Sequence, residues 1–118
     1  MLRWARARKD KHKEADFLKR KAYALNTFQQ YDQALTTANK GLNLYEELED
    51  LSGMARIYNC LGLINWRLEQ YDVAFDMYLK ANDIYEEVDD PFNHANILSN
   101  IGILFYEQED YDLSLIHI

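Results

Sequence analysis

The chain repeats itself every 40 residues. Tyr31-Asp32 recurs as Tyr71-Asp72 and again as Tyr111-Asp112. In the same register Ala34 returns as Ala74, Lys40 as Lys80 and Tyr45-Glu46-Glu47 as Tyr85-Glu86-Glu87. Asp50, Ala55, Ile57 and Gly62 return as Asp90, Ala95, Ile97 and Gly102. Other pairs keep type only: Leu35 with Phe75, Leu44 with Ile84, Leu48 with Val88, Leu61 with Ile101. A unit of this length cannot bury its apolar face alone, so copies must stack against one another. The 118 residues hold nearly three copies.

Each unit reads as two helices. Between Tyr71 and Val88, the residues Tyr71, Ala74, Phe75, Tyr78, Ala81, Tyr85 and Val88 form one stripe at helical period. Leu79 and Ile84 widen it, which implies neighbours on more than one side. Met54 to Leu68 carries an equally broad apolar face, as a stack requires. Asp90-Pro91 sets a capping carboxylate before a Pro at the first helical position. Ser52 is the expected cap one unit earlier. Glu69-Gln70 and Glu109-Asp110 read as short polar links. The pattern predicts helices near 11–29, 31–48, 53–69, 71–88 and 92–109, with a further start at Tyr111 and boundary errors of about 2–4 residues. Links this short make successive helices antiparallel. One Pro and four Gly argue against a turn-rich β fold.

These motifs resemble the tetratricopeptide repeat. Its helix A signature, an aromatic followed by Leu-Gly, is matched by Tyr58-Asn59-Cys60-Leu61-Gly62. Leu98-Ser99-Asn100-Ile101-Gly102 followed by Phe105 matches it again. Ala74, Tyr78 and Ala81 match the small–aromatic–small signature of helix B. The 40-residue period resembles the extended repeats of bacterial sensory and regulatory proteins and of animal polarity adaptors. Asn65 stands where an aromatic is usual, and Ala22 and Ala38 replace the Gly and the aromatic of the first unit. The resemblance implies an all-α fold, an α-solenoid of antiparallel helix pairs in a right-handed superhelix of about two and a half to three repeats. Residues 1–14 read as a basic lead-in, 15–113 as the array, with units near 15–50, 51–90 and a truncated 91–113. Residues 114–118 resemble translated sequencing-adapter read-through, and the chain is expected to be a fragment of a longer protein.

Charge and motif content exclude several functions. Residues 1–21 hold nine Lys/Arg and three acids, hence +6, and residues 22–118 hold four and 17, hence −13, which together give the net −7. Such a body repels phosphate, so contact with nucleic acid or membrane is confined to residues 3–21. The simpler readings of that run are a solvated lead-in helix or a contact with the acidic body of a repeat. No apolar stretch reaches the ~18 residues of a membrane span, and a cytoplasmic location is expected. His12, His94 and His117 lie in different units without metal-ligand spacing. Cys60 sits among apolar neighbours and reads as a buried, inert thiol. The paired carboxylates Glu46-Glu47, Glu86-Glu87 and Asp89-Asp90 recur with the repeat, as solvated helix ends do. No phosphate-binding or nucleophile motif is present. A catalytic site, metal, cofactor or small-molecule substrate is not expected.

The resemblance places binding on the concave surface lined by helix A. Carried over by register, it implies Lys19, Tyr23, Asn26 and Thr27 in the first unit, and Asn59, Leu63, Trp66 and Arg67 in the second. In the third it implies Ser99, Ile103, Tyr106 and Glu107, with Asn96 and Asn100 nearby. Asn side chains both donate and accept, so they can bond an extended peptide backbone of any sequence. Trp66 and Tyr106 either serve as anchors or pack between adjacent helices. The expectation is a noncatalytic protein- or peptide-binding scaffold, the sensory or interaction part of a larger signalling protein. The alternative is a structural or oligomerisation spacer with an empty groove. A truncated last unit would leave an apolar face open and invite self-association.

Overall fold

The computed structural model describes residues 2–116, with side chains for residues 3–107. Five helices follow one another: α1 (Leu2–Thr27), α2 (Tyr31–Glu47), α3 (Leu51–Arg67), α4 (Tyr71–Glu87) and α5 (Pro91–Ile116). α1 packs on α2, α2 on α3, α3 on α4 and α4 on α5, and α1 also touches α3. The result is an all-α solenoid of helix pairs in which α1, α3 and α5 are the A helices and α2 and α4 the B helices. His117 and the end of the C-terminal tail lie outside the described residues.

The turns between helices share one backbone device. Gln29, Glu49, Glu69 and Asp89 all have positive φ, at 65°, 56°, 61° and 54°. The next amide then bonds back to the helix: Gln30 N–H to the Leu25 carbonyl at 2.9 Å, Asp50 to Tyr45 at 3.0 Å, Gln70 to Asn65 at 2.8 Å, Asp90 to Tyr85 at 3.1 Å. This closure satisfies helix-end carbonyls and turns the chain back within three residues. A non-Gly residue in the left-handed region costs about 1–2 kcal/mol. Packing of the following helix has to offset that.

At Glu109-Asp110 the fifth turn does not form. α5 runs unbroken to Ile116, so the expected link and the new start at Tyr111 are both absent. The reason is energetic. Each earlier turn is repaid by a helix docked on the one before. No described helix docks beyond α5, so the local i→i−4 bonds simply continue.

Two further expectations change. Asp50, not Ser52, caps α3, its Oδ1 accepting the Gly53 N–H at 3.0 Å. Asp50 stands 40 residues before Asp90, which accepts the Asn93 N–H at 3.2 Å in the same way. The basic lead-in, with α1 expected from residue 11, is helical from Leu2 and continuous with it. Arg8 Nη2 donates to the Leu48 carbonyl at 2.5 Å, at the C-terminal end of α2 where cations are favoured. Lys11 pairs with Glu47 at 3.4 Å. His12 Nε2 lies 2.8 Å from Asp50 Oδ2, and its Nδ1 lies 3.4 Å from Asp16 Oδ2. The N-terminal half of α1 therefore straps the α2–α3 junction.

The core forms two clusters joined by α3. Ala15, Ala22, Ala34, Ala38, Tyr45, Ile57, Cys60, Leu61 and Ile64 make the first. Ala55, Ala74, Tyr78, Ala81, Tyr85, Ile97 and Leu104 make the second. α3 contributes to both, which is why its apolar face is so broad. Ile84 packs on the second cluster, whereas Leu79 stays exposed.

Candidate functional site

α1, α3 and α5 carry a line of hydrogen bonds across their shared surface. Tyr23 Oη donates to the Arg56 carbonyl at 3.1 Å. Asn59 Nδ2 donates to Tyr23 Oη at 3.1 Å, and Asn100 Nδ2 donates to Asn59 Oδ1 at 2.8 Å. Three successive A helices are thus tied by Tyr23, Asn59 and Asn100. Burial pushes the Tyr23 phenol up, so it remains a neutral donor.

An open groove of about 530 Å³ lies along this line, walled by Lys19, Tyr23, Arg56, Asn59, Tyr85, Phe92 and Asn93. Lys19 is part-buried. Desolvation, and then the nearby Arg56 charge, lower its pKa. Phe92 is 75% exposed at the start of α5. A second, smaller hollow of about 90 Å³ lies between Leu63, Trp66, Tyr78, Asn100 and Ile103.

Trp66 is half-buried against the second cluster, and its Nε1–H donates to Glu107 Oε2 at 2.9 Å. The Arg67 guanidinium stacks on that indole at 5.2 Å. Tyr106, by contrast, is exposed, as are Ser99 and Asn96. Asn26 is half-buried with an Oδ1 that accepts no hydrogen bond, while Thr27 Oγ1 donates back to the Tyr23 carbonyl at 3.0 Å. The register therefore brings Lys19, Tyr23 and Asn59 to one groove, and Leu63, Trp66, Asn100 and Ile103 to another. The other residues fall outside both hollows.

Four residues of the larger groove escaped the sequence reading. Arg56 stands one helical turn before Asn59, so the period alone could have found it. Asn93 stands likewise one turn before Asn96. Phe92, at the start of α5, carried no comparable signal. Tyr85 belongs to the apolar stripe of α4, and only packing shows that it also floors the groove.

The remaining reactive groups are occupied or buried. Cys60 is fully buried, and burial pushes its thiol up to about 12. His94 lies 3.4 Å from Glu86, and no group of metal-ligating side chains occurs among the described residues. No described helix is long and apolar enough to cross a membrane.

Stacked helix pairs, with a polar line across their A helices, define a repeat scaffold. A sequence model of the tetratricopeptide repeat matches residues 53–117, more than half of the chain, and the protein belongs to that family. Repeats of this family generally act as protein-interaction scaffolds. A comparison with curated proteins finds no match.

Proposed function

We propose that the protein is a noncatalytic scaffold that binds an extended peptide along the surface of α1, α3 and α5. One observation carries this reading. The Tyr23–Asn59–Asn100 line fixes three A helices relative to one another beside an open groove. The line changes the expected mechanism. Asn59 uses its amide on Tyr23 and its carbonyl on Asn100, so it positions the groove and is not itself free for a peptide. The groups left to a peptide are Lys19, Arg56 and the exposed Phe92 ring, since the Asn93 amide already donates to Asp90 Oδ2 at 2.7 Å. By family likeness, such an array forms the sensory or interaction part of a larger signalling protein.

The test is pull-down with Phe92→Ala and Arg56→Ala, both at exposed positions, with melting temperature as the folding control. Loss of a partner at unchanged melting temperature supports groove binding. Unchanged pull-down sinks it and leaves the structural spacer. The spacer reading has its own support, since Trp66 and Asn59 both use polar atoms to brace α3 against α5.

Self-association through α5 is a separate part of the proposal. Leu98, Ile103 and Phe105 are each about half exposed, at 51%, 51% and 53%. Sedimentation of Leu98→Lys tests it: a lower apparent mass than the parent supports association through this face, and an equal mass counts against it.

A further inference from the structure

The basic run at the head of the chain has no equal in later units, and its cations fall into two sets. Arg8, Lys11 and His12 are engaged at the α2–α3 junction. Lys9 and Lys13 form no ion pair with a described residue, and neither do Lys19, Arg20 and Arg56. On α1, residues 9, 13, 20 and 23 stand at i, i+4, i+11 and i+14, so they share one face. Tyr23 is a wall of the groove. The face that carries it therefore continues toward the N-terminus through Arg20, Lys13 and Lys9, with Asp16 among them.

Along this face lies a cavity of about 600 Å³ between Trp4, Ala5, Lys9, Lys13, Leu48 and Asp50. Trp4 is 70% exposed, and the Arg8 guanidinium sits 5.7 Å over its ring. Two acids close to Lys19 are already engaged. Asp16 accepts from Tyr45 and lies beside His12, and Asp50 binds the Gly53 N–H and His12.

We propose that the N-terminal half of α1 is a second part of the binding surface and selects an acidic peptide segment carrying one apolar side chain. This rests on the groove reading and adds the chemistry of the partner. Charge complementarity supplies the argument: Lys9 and Lys13 line the cavity and Lys19 and Arg56 the groove, on a chain whose residues 22–118 sum to −13. An incoming carboxylate would also relieve the mutual repulsion of Lys19 and Arg56. The apolar side chain enters the cavity against Trp4 and Leu48. From Trp4 to Tyr23 the helix runs roughly 29 Å, a length that about nine extended residues cover. A short peptide stays within a Debye length of these cations, about 8 Å at physiological salt, whereas a duplex or bilayer also meets the acidic body.

The test is fluorescence anisotropy with the full chain and a labelled peptide of about nine residues, Glu and Asp around one Leu. Its counterpart carries Gln and Asn instead. Binding of the acidic peptide about tenfold tighter than its amide counterpart is expected, with the preference fading as salt rises. Lys9→Glu with Lys13→Glu should remove the preference, and Trp4→Ala should weaken both peptides. Both variants should keep the parent melting temperature. Equal binding of the two peptides, or no binding of the acidic one, overturns the proposal. Tighter binding to phosphatidylserine vesicles or to short duplex DNA overturns it in favour of those partners. Equal binding that is still lost in Phe92→Ala would leave the groove reading standing while charge selection fails.

Discussion

Tyr78 fills the space that Gly62 leaves: a Cβ on Gly62 would lie 2.3 Å from Cε1 of the Tyr78 ring. This contact sets how closely α3 and α4 approach. The first unit solves the same problem with different residues. Ala22 and Ala38 stand in the two equivalent positions, both fully buried, so a medium–medium pair replaces small–large. At Gly102 no atom lies within 4 Å of an added Cβ, because no described helix faces it.

Gly62→Ala should therefore destabilise the protein. Overpacking costs about 1–3 kcal/mol, and the gain in helix propensity returns at most about 1 kcal/mol. Tyr78→Ala alone should cost about 3–5 kcal/mol through the cavity it leaves. In the Tyr78→Ala background, Gly62→Ala should become neutral or stabilising. Urea unfolding of the four chains measures this coupling, and an equal cost in both backgrounds would refute the steric account. Gly102→Ala, facing open space, should be stabilising by up to about 1 kcal/mol.

Asp50 links acid stability to the α3 cap. Burial pushes its carboxyl up, but the Gly53 N–H and the His12 ring together outweigh that and leave it below the ordinary value. A carboxyl depressed in the folded state stabilises above its unfolded pKa of about 3.9, and that stability is lost as pH falls through the folded value. Asp90 is lowered too, by the Asn93 side chain and backbone. Melting temperature should therefore fall steeply in this acid range, and less steeply in Asp50→Asn. Parallel curves for the two chains would remove Asp50 from the explanation.

Trp66 reports on the docking of α5. Its Nε1–H reaches Glu107 across 41 residues of sequence. In a Trp4→Phe background the remaining indole is Trp66. Glu107→Ala should red-shift its emission and cost about 1 kcal/mol, while Glu107→Gln, which keeps an acceptor, should do neither fully. Identical spectra for all three chains would mean that the bond is absent in solution.

Cys60 should be inert in the folded protein. Its thiol is fully buried and raised to about 12, so little thiolate exists near neutral pH. Labelling by a maleimide should be slow in buffer and fast in denaturant. Fast labelling of the folded chain would show that the first core cluster opens readily.

The fold was legible because its information is periodic. Tyr71, Ala74, Tyr78 and Ala81 announce a helix face wherever the chain puts them, and the copies 40 residues apart confirm one another. The candidate groove was legible only in part. Lys19, Tyr23 and Asn59 could be placed by register, but the bond between Asn59 and Asn100 joins positions 41 apart, one residue off the repeat. Register predicts equivalent positions, not which side chains reach each other across a twisted stack. Ser52 is the cap the sequence suggests for α3, but the cap falls on Asp50, the residue 40 before Asp90.

By itself the sequence determined the repeat length, the two-helix unit, the antiparallel order and the scaffold family, since these follow from spacing along one chain. Tertiary structure decided what happens to the groups that spacing leaves free. It strapped Arg8, Lys11 and His12 onto the α2–α3 junction and left Lys9 and Lys13 without an ion pair to a described residue. It also let α5 run past Glu109, where no described helix docks. The physical reason is common to all of these. A hydrogen bond, an ion pair or a left-handed turn residue is stable only when its partner arrives from another element, and partners tens of residues away leave no local periodic mark.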